Sequence, residues 1–171
     1  MEDLVQRATE FATAAHEGQI RKYTGEPYIV HPIEVMEIVR TVCEDPEVLA
    51  AALLHDTVED CDVTIEDIQG CFGDRVASLV DQLTDRSKPE DGNRRVRKEI
   101  DRQHLAGACA KAQTVKLADL ISNSDSIAKH DRSFARLYMK EKLLLLGVLI
   151  RGDSTLLVRA LRIVADYHEN R

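Results

Sequence analysis

Residues 46–60 read Pro46-Glu-Val-Leu-Ala-Ala-Ala-Leu-Leu-His-Asp-Thr-Val-Glu-Asp60. Proline suits the first turn of a helix, where its missing N–H costs nothing. From Val48 to Leu54 every residue is apolar, so a helix here has no polar face. Such a helix is stable only inside a core, with other elements packed around it. It then runs into His55, Asp56, Glu59 and Asp60. On a continuous helix His55 and Glu59 are four apart, as are Asp56 and Asp60, which makes each pair neighbours. His55 and Asp56 point about 100° apart around the axis, so both can face an ion lying between them. Carboxylates crowded at the end of a buried helix lose hydration and repel one another. A bound divalent cation resolves that conflict; an exposed helix end with solvated carboxylates is the competing reading.

Helical periodicity continues on both sides of this segment. Leu4, Ala8, Phe11, Ala12 and Ala15 recur at helical spacing, with Gly18 as the stop. Residues 18–31 carry glycines and Pro27, which predicts a loop running extended into His31, with Pro32 in the first turn of the next helix. Thr64 followed by Asp67 caps a short helix ending near Phe72-Gly73, and another covers Asp74–Leu83. The polar run 84–93 reads as a surface loop. Further helices are expected at about 93–108, 112–128, 133–150 and 153–168. With no convincing strand and no internal repeat, the expected architecture is all-α, one helical bundle comprising residues 1–171.

Bulk composition agrees. Three Phe, four Tyr and no Trp among 171 residues leave Leu, Ile, Val and Ala to fill the core, which favours helices over a β-sandwich. A net charge of −7 argues against general nucleic-acid binding. The cysteines at 43, 61, 71 and 109 form neither a disulfide framework nor a zinc ribbon, so they read as free thiols in a reducing cytosol. The N-terminus lacks an apolar signal region, and the longest apolar run, Leu143–Ile150, is too short for a bilayer. A cytoplasmic location away from membranes is expected, and homo-oligomerisation is left open.

An isolated His-Asp pair means little, but its surroundings add weight. His31 precedes Pro32, and Asp119 lies in the apolar helix Val115-Lys-Leu-Ala-Asp-Leu-Ile-Ser-Asn123. There Asp119, Asn123 and Ser126 share one face, and an acid inside an apolar helix asks for a partner. Arg21-Lys-Tyr-Thr-Gly-Glu-Pro-Tyr-Ile-Val-His31-Pro, the His55-Asp56 segment and Val115–Asp119 with Asn123 together resemble the hydrolase domain of the RelA/SpoT family, within the His-Asp phosphohydrolases. The similarity covers residues 1–150 or so, and the domain is expected to stand alone.

That resemblance implies an all-α, HD-type metal-dependent phosphohydrolase fold and a set of roles. His31, His55, Asp56 and Asp119 would hold one divalent ion, Mn²⁺ by analogy; imidazole nitrogens and carboxylate oxygens suit Mn, Fe or Zn. Glu59 and Asp60 match the acidic pair that positions and activates the attacking water. Arg21 matches a loop arginine that packs on guanine, with Lys22 and Tyr28 near the same pocket. Asn123 and Ser126 match nucleoside contacts, and Arg94 falls near a phosphate contact. The implied reaction removes the 3′-diphosphate of guanosine 3′,5′-bis(diphosphate), or of its pentaphosphate, as pyrophosphate, leaving GDP or GTP. Leu120 and Ser122 stand where the family commonly has arginine and histidine, and the loop before His31 carries one residue more, around Tyr23-Thr24. A phosphatase acting on NADPH or another nucleotide uses the same metal and fold, and a non-catalytic nucleotide-binding module is the third reading.

Arg94, Lys98 and Arg102 form a basic stripe that reads equally as phosphate contact or solvated face. Arg136 and Lys140, a turn apart, have no assigned role. His16, His104, His130 and His168 read as surface or helix-end residues, and the cysteines as small packing residues.

Overall fold

The computed structural model describes residues 4–169, apart from the side chains of Asp125, Ser126, Ala128, Lys129 and Arg132. Among the described residues there is no strand, only an isolated antiparallel bridge between Ile20 and Pro27. The chain divides into two compact units, Met1–Thr84 and Asp85–Arg171, with the boundary at the start of the polar run.

The first unit contains α1 (Leu4–Ala15), α2 (Val30–Arg40), α3 (Pro46–Leu54), α4 (Thr57–Asp60), α5 (Ile65–Phe72) and α6 (Asp74–Leu83). Its centre is α3, buried at every position from Val48 to Leu54 and packed by α1, α2 and α6. The absence of a polar face, read from sequence, is met by neighbours around the helix. Asp45 starts it, accepting a hydrogen bond from the Glu47 N–H at 3.1 Å. The Thr64–Asp67 capping box opens α5 as the sequence predicts, and α6 has the predicted bounds. Gly73 links the two with φ +87°, in the region that favours glycine.

Two sequence expectations are corrected here. The helix from Pro46 does not run to Asp60: it stops at Leu54, and α4 is a separate turn. At the break the Thr57 Oγ1 donates to the Leu54 carbonyl at 2.7 Å, and Asp56 sits at φ −98°, ψ −6°, outside helical geometry. His31 does not end an extended segment either. Tyr28 and Ile29 already turn, with His31 N–H donating to the Tyr28 carbonyl at 2.9 Å, so His31 lies in the first turn of α2.

The second unit contains a 3₁₀ turn at Pro89–Asp91 and α7 (Arg94–Gly107), α8 (Ala110–His130), α9 (Arg132–Leu146) and α10 (Ser154–Glu169). Helices α8, α9 and α10 pack on one another. α9 ends at Leu146 rather than near 150, just before Gly147. Buried Asp101 of α7 ties down the polar loop, accepting from the Arg86 and Ser87 N–H groups at 3.0 and 2.9 Å. Buried Gln113 and Thr114 of α8 receive the Arg151 and Asp153 N–H groups at 2.9 and 3.0 Å. Gly152 sits between them so tightly that a Cβ there would lie 2.7 Å from Leu117 Cδ1. The ammonium of Lys142, buried on α9, donates to Ser124 Oγ at 2.6 Å. No helix among the described residues is long and apolar enough to cross a membrane.

Candidate metal centre

The break between α3 and α4 shapes the site. Because the helix stops, His55 becomes its C-cap, and its Nδ1 lies 2.8 Å from the Ala52 carbonyl. A carbonyl can only accept, so Nδ1 carries the proton, and in the neutral ring Nε2 keeps a lone pair. That Nε2 lies 3.1 Å from Asp56 Oδ2. His31, brought in by the packing of α2 on α3, places its own Nε2 3.5 Å from the same oxygen. The two imidazoles are buried, with ring centroids 5.3 Å apart. One ligand atom from each of His31, His55 and Asp56 lies within 4.8 Å of the others. A nitrogen lone pair facing a carboxylate oxygen is repulsive unless a cation or proton sits between them. Two imidazoles and a carboxylate converging in this way fit a divalent metal ion.

Tyr28 adds a donor to this cluster. Its hydroxyl lies 2.6 Å from Asp56 Oδ2 and 3.3 Å from Asp60 Oδ2. Glu59 and Asp60 are exposed residues on α4. Even so, the Asp60 carboxyl is pushed above its ordinary value, first by partial burial and then by the nearby Asp56 charge.

Other expected residues have their own partners. Arg21 Nη1 pairs with Glu34 at 3.0 Å, and the Lys22 ammonium lies 5.0 Å from the Tyr23 ring centroid. In the second unit, buried Asp119 accepts from Asn123 Nδ2 at 2.6 Å and from Lys116 Nζ at 2.8 Å. Burial and then the Asp119 charge push the Tyr138 hydroxyl far above its ordinary value. Arg94 makes a two-pronged ion pair with Glu141, both contacts at 2.8 Å, and lies over the Phe134 ring. Lys98 pairs with Asp85 at 3.3 Å and Arg102 with Glu99, so acidic neighbours compensate the basic stripe. Arg136 and Lys140 are exposed on α9. The side chain of Ser126 lies outside the described residues.

His16 directly follows α1, a helix-end position as expected, but it is buried rather than at the surface. Its Nδ1 lies 2.9 Å from Gln19 Oε1 and 3.2 Å from Cys61 Sγ, and its ring rests 4.6 Å from that of Tyr28. Gln19 also donates to the Asp60 carbonyl at 2.9 Å. Sequence reading missed this support beneath the acidic turn. The signal was available, since Ala8, Ala12 and His16 are four apart and share one face. Lys116 was missed as well, although it lies three residues before Asp119. Cys71 is exposed rather than packed.

A chain whose described elements are all helices, and whose buried His55 and half-buried Asp56 meet a further buried histidine, has the character of a His-Asp metal-site protein. The HD domain family model matches residues 8–145, across both units, and the chain belongs to that family. It is 40% identical over 124 residues to guanosine-3′,5′-bis(diphosphate) 3′-pyrophosphohydrolase MESH1 of Xenopus tropicalis, covering 70% of this chain and 67% of that protein. A guanosine-3′,5′-bis(diphosphate) 3′-pyrophosphohydrolase of Vibrio cholerae is 55% identical over 73 residues, 43% of this chain. The chain matches only 10% of the length of that curated relative, and 11% of the corresponding protein of Aquifex aeolicus. A solved structure of a metazoan ortholog of SpoT that hydrolyzes ppGpp superposes with a TM-score of 0.87 at 27% identity, over 97% of this chain and 96% of that one.

Proposed function

We propose that this protein is a metal-dependent guanosine-3′,5′-bis(diphosphate) 3′-pyrophosphohydrolase. The observation that carries the reading is the convergence of two buried imidazole nitrogens on one oxygen of Asp56. The names of the relatives supply the substrate. We assign His31, His55 and Asp56, with Asp119 as fourth ligand, to one ion, Mn²⁺. When bound, such an ion acidifies water and neutralises a phosphoryl oxygen.

The chain's own groups have the remaining tasks. Glu59 and Asp60, on the turn after the ligands, orient the attacking water and take its proton. Arg21 and Lys22 offer cationic groups to a purine and its phosphates, and the Asn123 amide offers hydrogen bonds to the nucleoside, the role also assigned to Ser126. Arg94 reaches a phosphate only by leaving Glu141. Water adds to the phosphorus next to the ribose and the 3′-O–P bond breaks; the nucleoside 3′-oxygen leaves and takes up a proton, and pyrophosphate departs with the water oxygen, giving GDP from the tetraphosphate and GTP from the pentaphosphate.

Incubation of the purified chain with Mn²⁺ and a nucleotide panel, followed by chromatography of products, tests this. GDP and pyrophosphate in equal amounts, lost on chelation, are expected. Inorganic phosphate from NADPH with the guanosine tetraphosphate left intact would move the assignment to another nucleotide.

A further inference from the structure

We propose that Tyr28 is a positioning residue for the metal ion, holding the Asp56 carboxylate in its ligating orientation, rather than a residue of the nucleotide pocket. The inference rests on the metal-site reading above. Three groups converge on Asp56 Oδ2: Tyr28 Oη at 2.6 Å, His55 Nε2 at 3.1 Å and His31 Nε2 at 3.5 Å. With Nδ1–H donating to the Ala52 carbonyl, Nε2 of a neutral His55 ring is an acceptor. The Tyr28 hydroxyl is a donor of a different kind, since it can keep its bond while an ion is present. A carboxylate oxygen has two lone pairs in its plane, so one serves a cation among the imidazoles and the other accepts from Tyr28.

The surroundings of Tyr28 also favour a fixed role. Its ring lies between two histidines, 4.6 Å from His16 and 5.8 Å from His31. Its backbone N–H donates to the Gln19 carbonyl at 3.0 Å, and its carbonyl accepts from the His31 N–H at 2.9 Å. The hydroxyl is therefore tied to Asp56, and the backbone to the first turn of α2, which carries His31. Asp60 Oδ2 at 3.3 Å is within reach of the same hydroxyl, which links the ligand carboxylate to the acidic pair through one O–H group. Hydrogen-bond partners of ligating groups fix ligand orientation, and their loss typically weakens metal binding about 10–100-fold.

The test is direct titration of the apo chain with Mn²⁺ alone, following free ion by electron paramagnetic resonance, for wild type and Tyr28→Phe. Phenylalanine retains the ring between the histidines and deletes only the hydroxyl. A rise of about tenfold or more in the Mn²⁺ Kd, with little change in the melting temperature of the apo chain, is expected. A lower melting temperature with an unchanged Kd would reduce Tyr28 to a packing residue and overturn the proposal. An unchanged Kd with a raised KM for the guanosine tetraphosphate would return Tyr28 to the nucleotide pocket and overturn it too. If the wild type itself bound no Mn²⁺, the metal-site reading and this inference would fall together. Binding by both proteins with equal Kd sinks the inference alone.

Discussion

At the scale of single residues, the proposed assignment separates groups placed to hold a cation from groups placed to work beside one. Asp56 faces both imidazoles, whereas Glu59 is exposed on the turn that follows. Asp56→Ala should therefore abolish Mn²⁺ binding, while Glu59→Ala should keep the ion and lose turnover by a factor of about 10²–10⁴, the usual contribution of a general acid or base. Metal analysis of both variants beside a pyrophosphate-release assay checks this. Full activity in Glu59→Ala removes that residue from the mechanism. The identities of these residues were legible because an apolar helix ending in His-Asp is chemically conspicuous. Their supports were less so. The hydrogen bond from Tyr28 to Asp56 and the burial of His16 are not legible locally, because nothing in the chain's own periodicity says that α1 and the loop at 18–29 fold against the acidic turn. Only tertiary packing brings the His16 ring to 3.2 Å from Cys61. Arg94 shows the converse, a basic residue whose partner Glu141 lies on another helix and so could not be read from its own stripe.

At the scale of elements, the break between α3 and α4 decides the geometry. Helical spacing alone places His55 and Glu59 on one face, and local propensity gives no reason to stop at Leu54. Two side-chain bonds to the helix's last carbonyls, from His55 to Ala52 and from Thr57 to Leu54, end it. Such bonds compete with the helix ladder and are hard to read without coordinates. Thr57→Val keeps the buried shape but deletes the bond. It should cost about 1 kcal/mol in urea unfolding and weaken Mn²⁺ binding, because Asp56 is then free to continue the helix. Unchanged Mn²⁺ affinity would show that the break is held by something else. The capping box of α5 was legible, since its chemistry is local. Thr64 holds Asp67 below its ordinary carboxylate value through side-chain and backbone hydrogen bonds. A depressed carboxyl stabilises the fold above its unfolded value, 3.8, and that contribution disappears as pH falls through the folded one. Thr64→Ala should thus be less stable than wild type near neutrality, and the difference should shrink below about pH 4. Denaturant unfolding of both proteins across that range is the measurement. A pH-independent difference would mean that Thr64 acts without Asp67.

At the scale of the whole molecule, the question is whether the two units unfold together. The family model spans residues 8–145, across the boundary at Thr84, and the proposed ligand set takes His31, His55 and Asp56 from the first unit and Asp119 from the second. If Asp119 does share that ion, as proposed, its binding would couple the unfolding of the two units. Leu53→Ala empties a fully buried position of α3 and should cost about 2–5 kcal/mol. Gly152→Ala drives a methyl group to within 2.7 Å of Leu117 Cδ1 and should cost about 1–3 kcal/mol. Each lesion lies in a different unit, yet in a single domain both should shift one common unfolding transition of the metal-loaded chain. Mn²⁺ at a hundredfold excess over its Kd should raise that transition by about 2.7 kcal/mol, the linkage expected for a ligand bound only by the folded state. Asp56→Ala should lose the increment, and Asp119→Ala should lose it too if the proposed fourth ligand is correct. Scanning calorimetry of these variants with and without Mn²⁺ distinguishes the cases. Two transitions, with Leu53→Ala moving one and Gly152→Ala the other, and with Mn²⁺ stabilising only the first, would remove Asp119 from the ion and leave the metal to His31, His55 and Asp56.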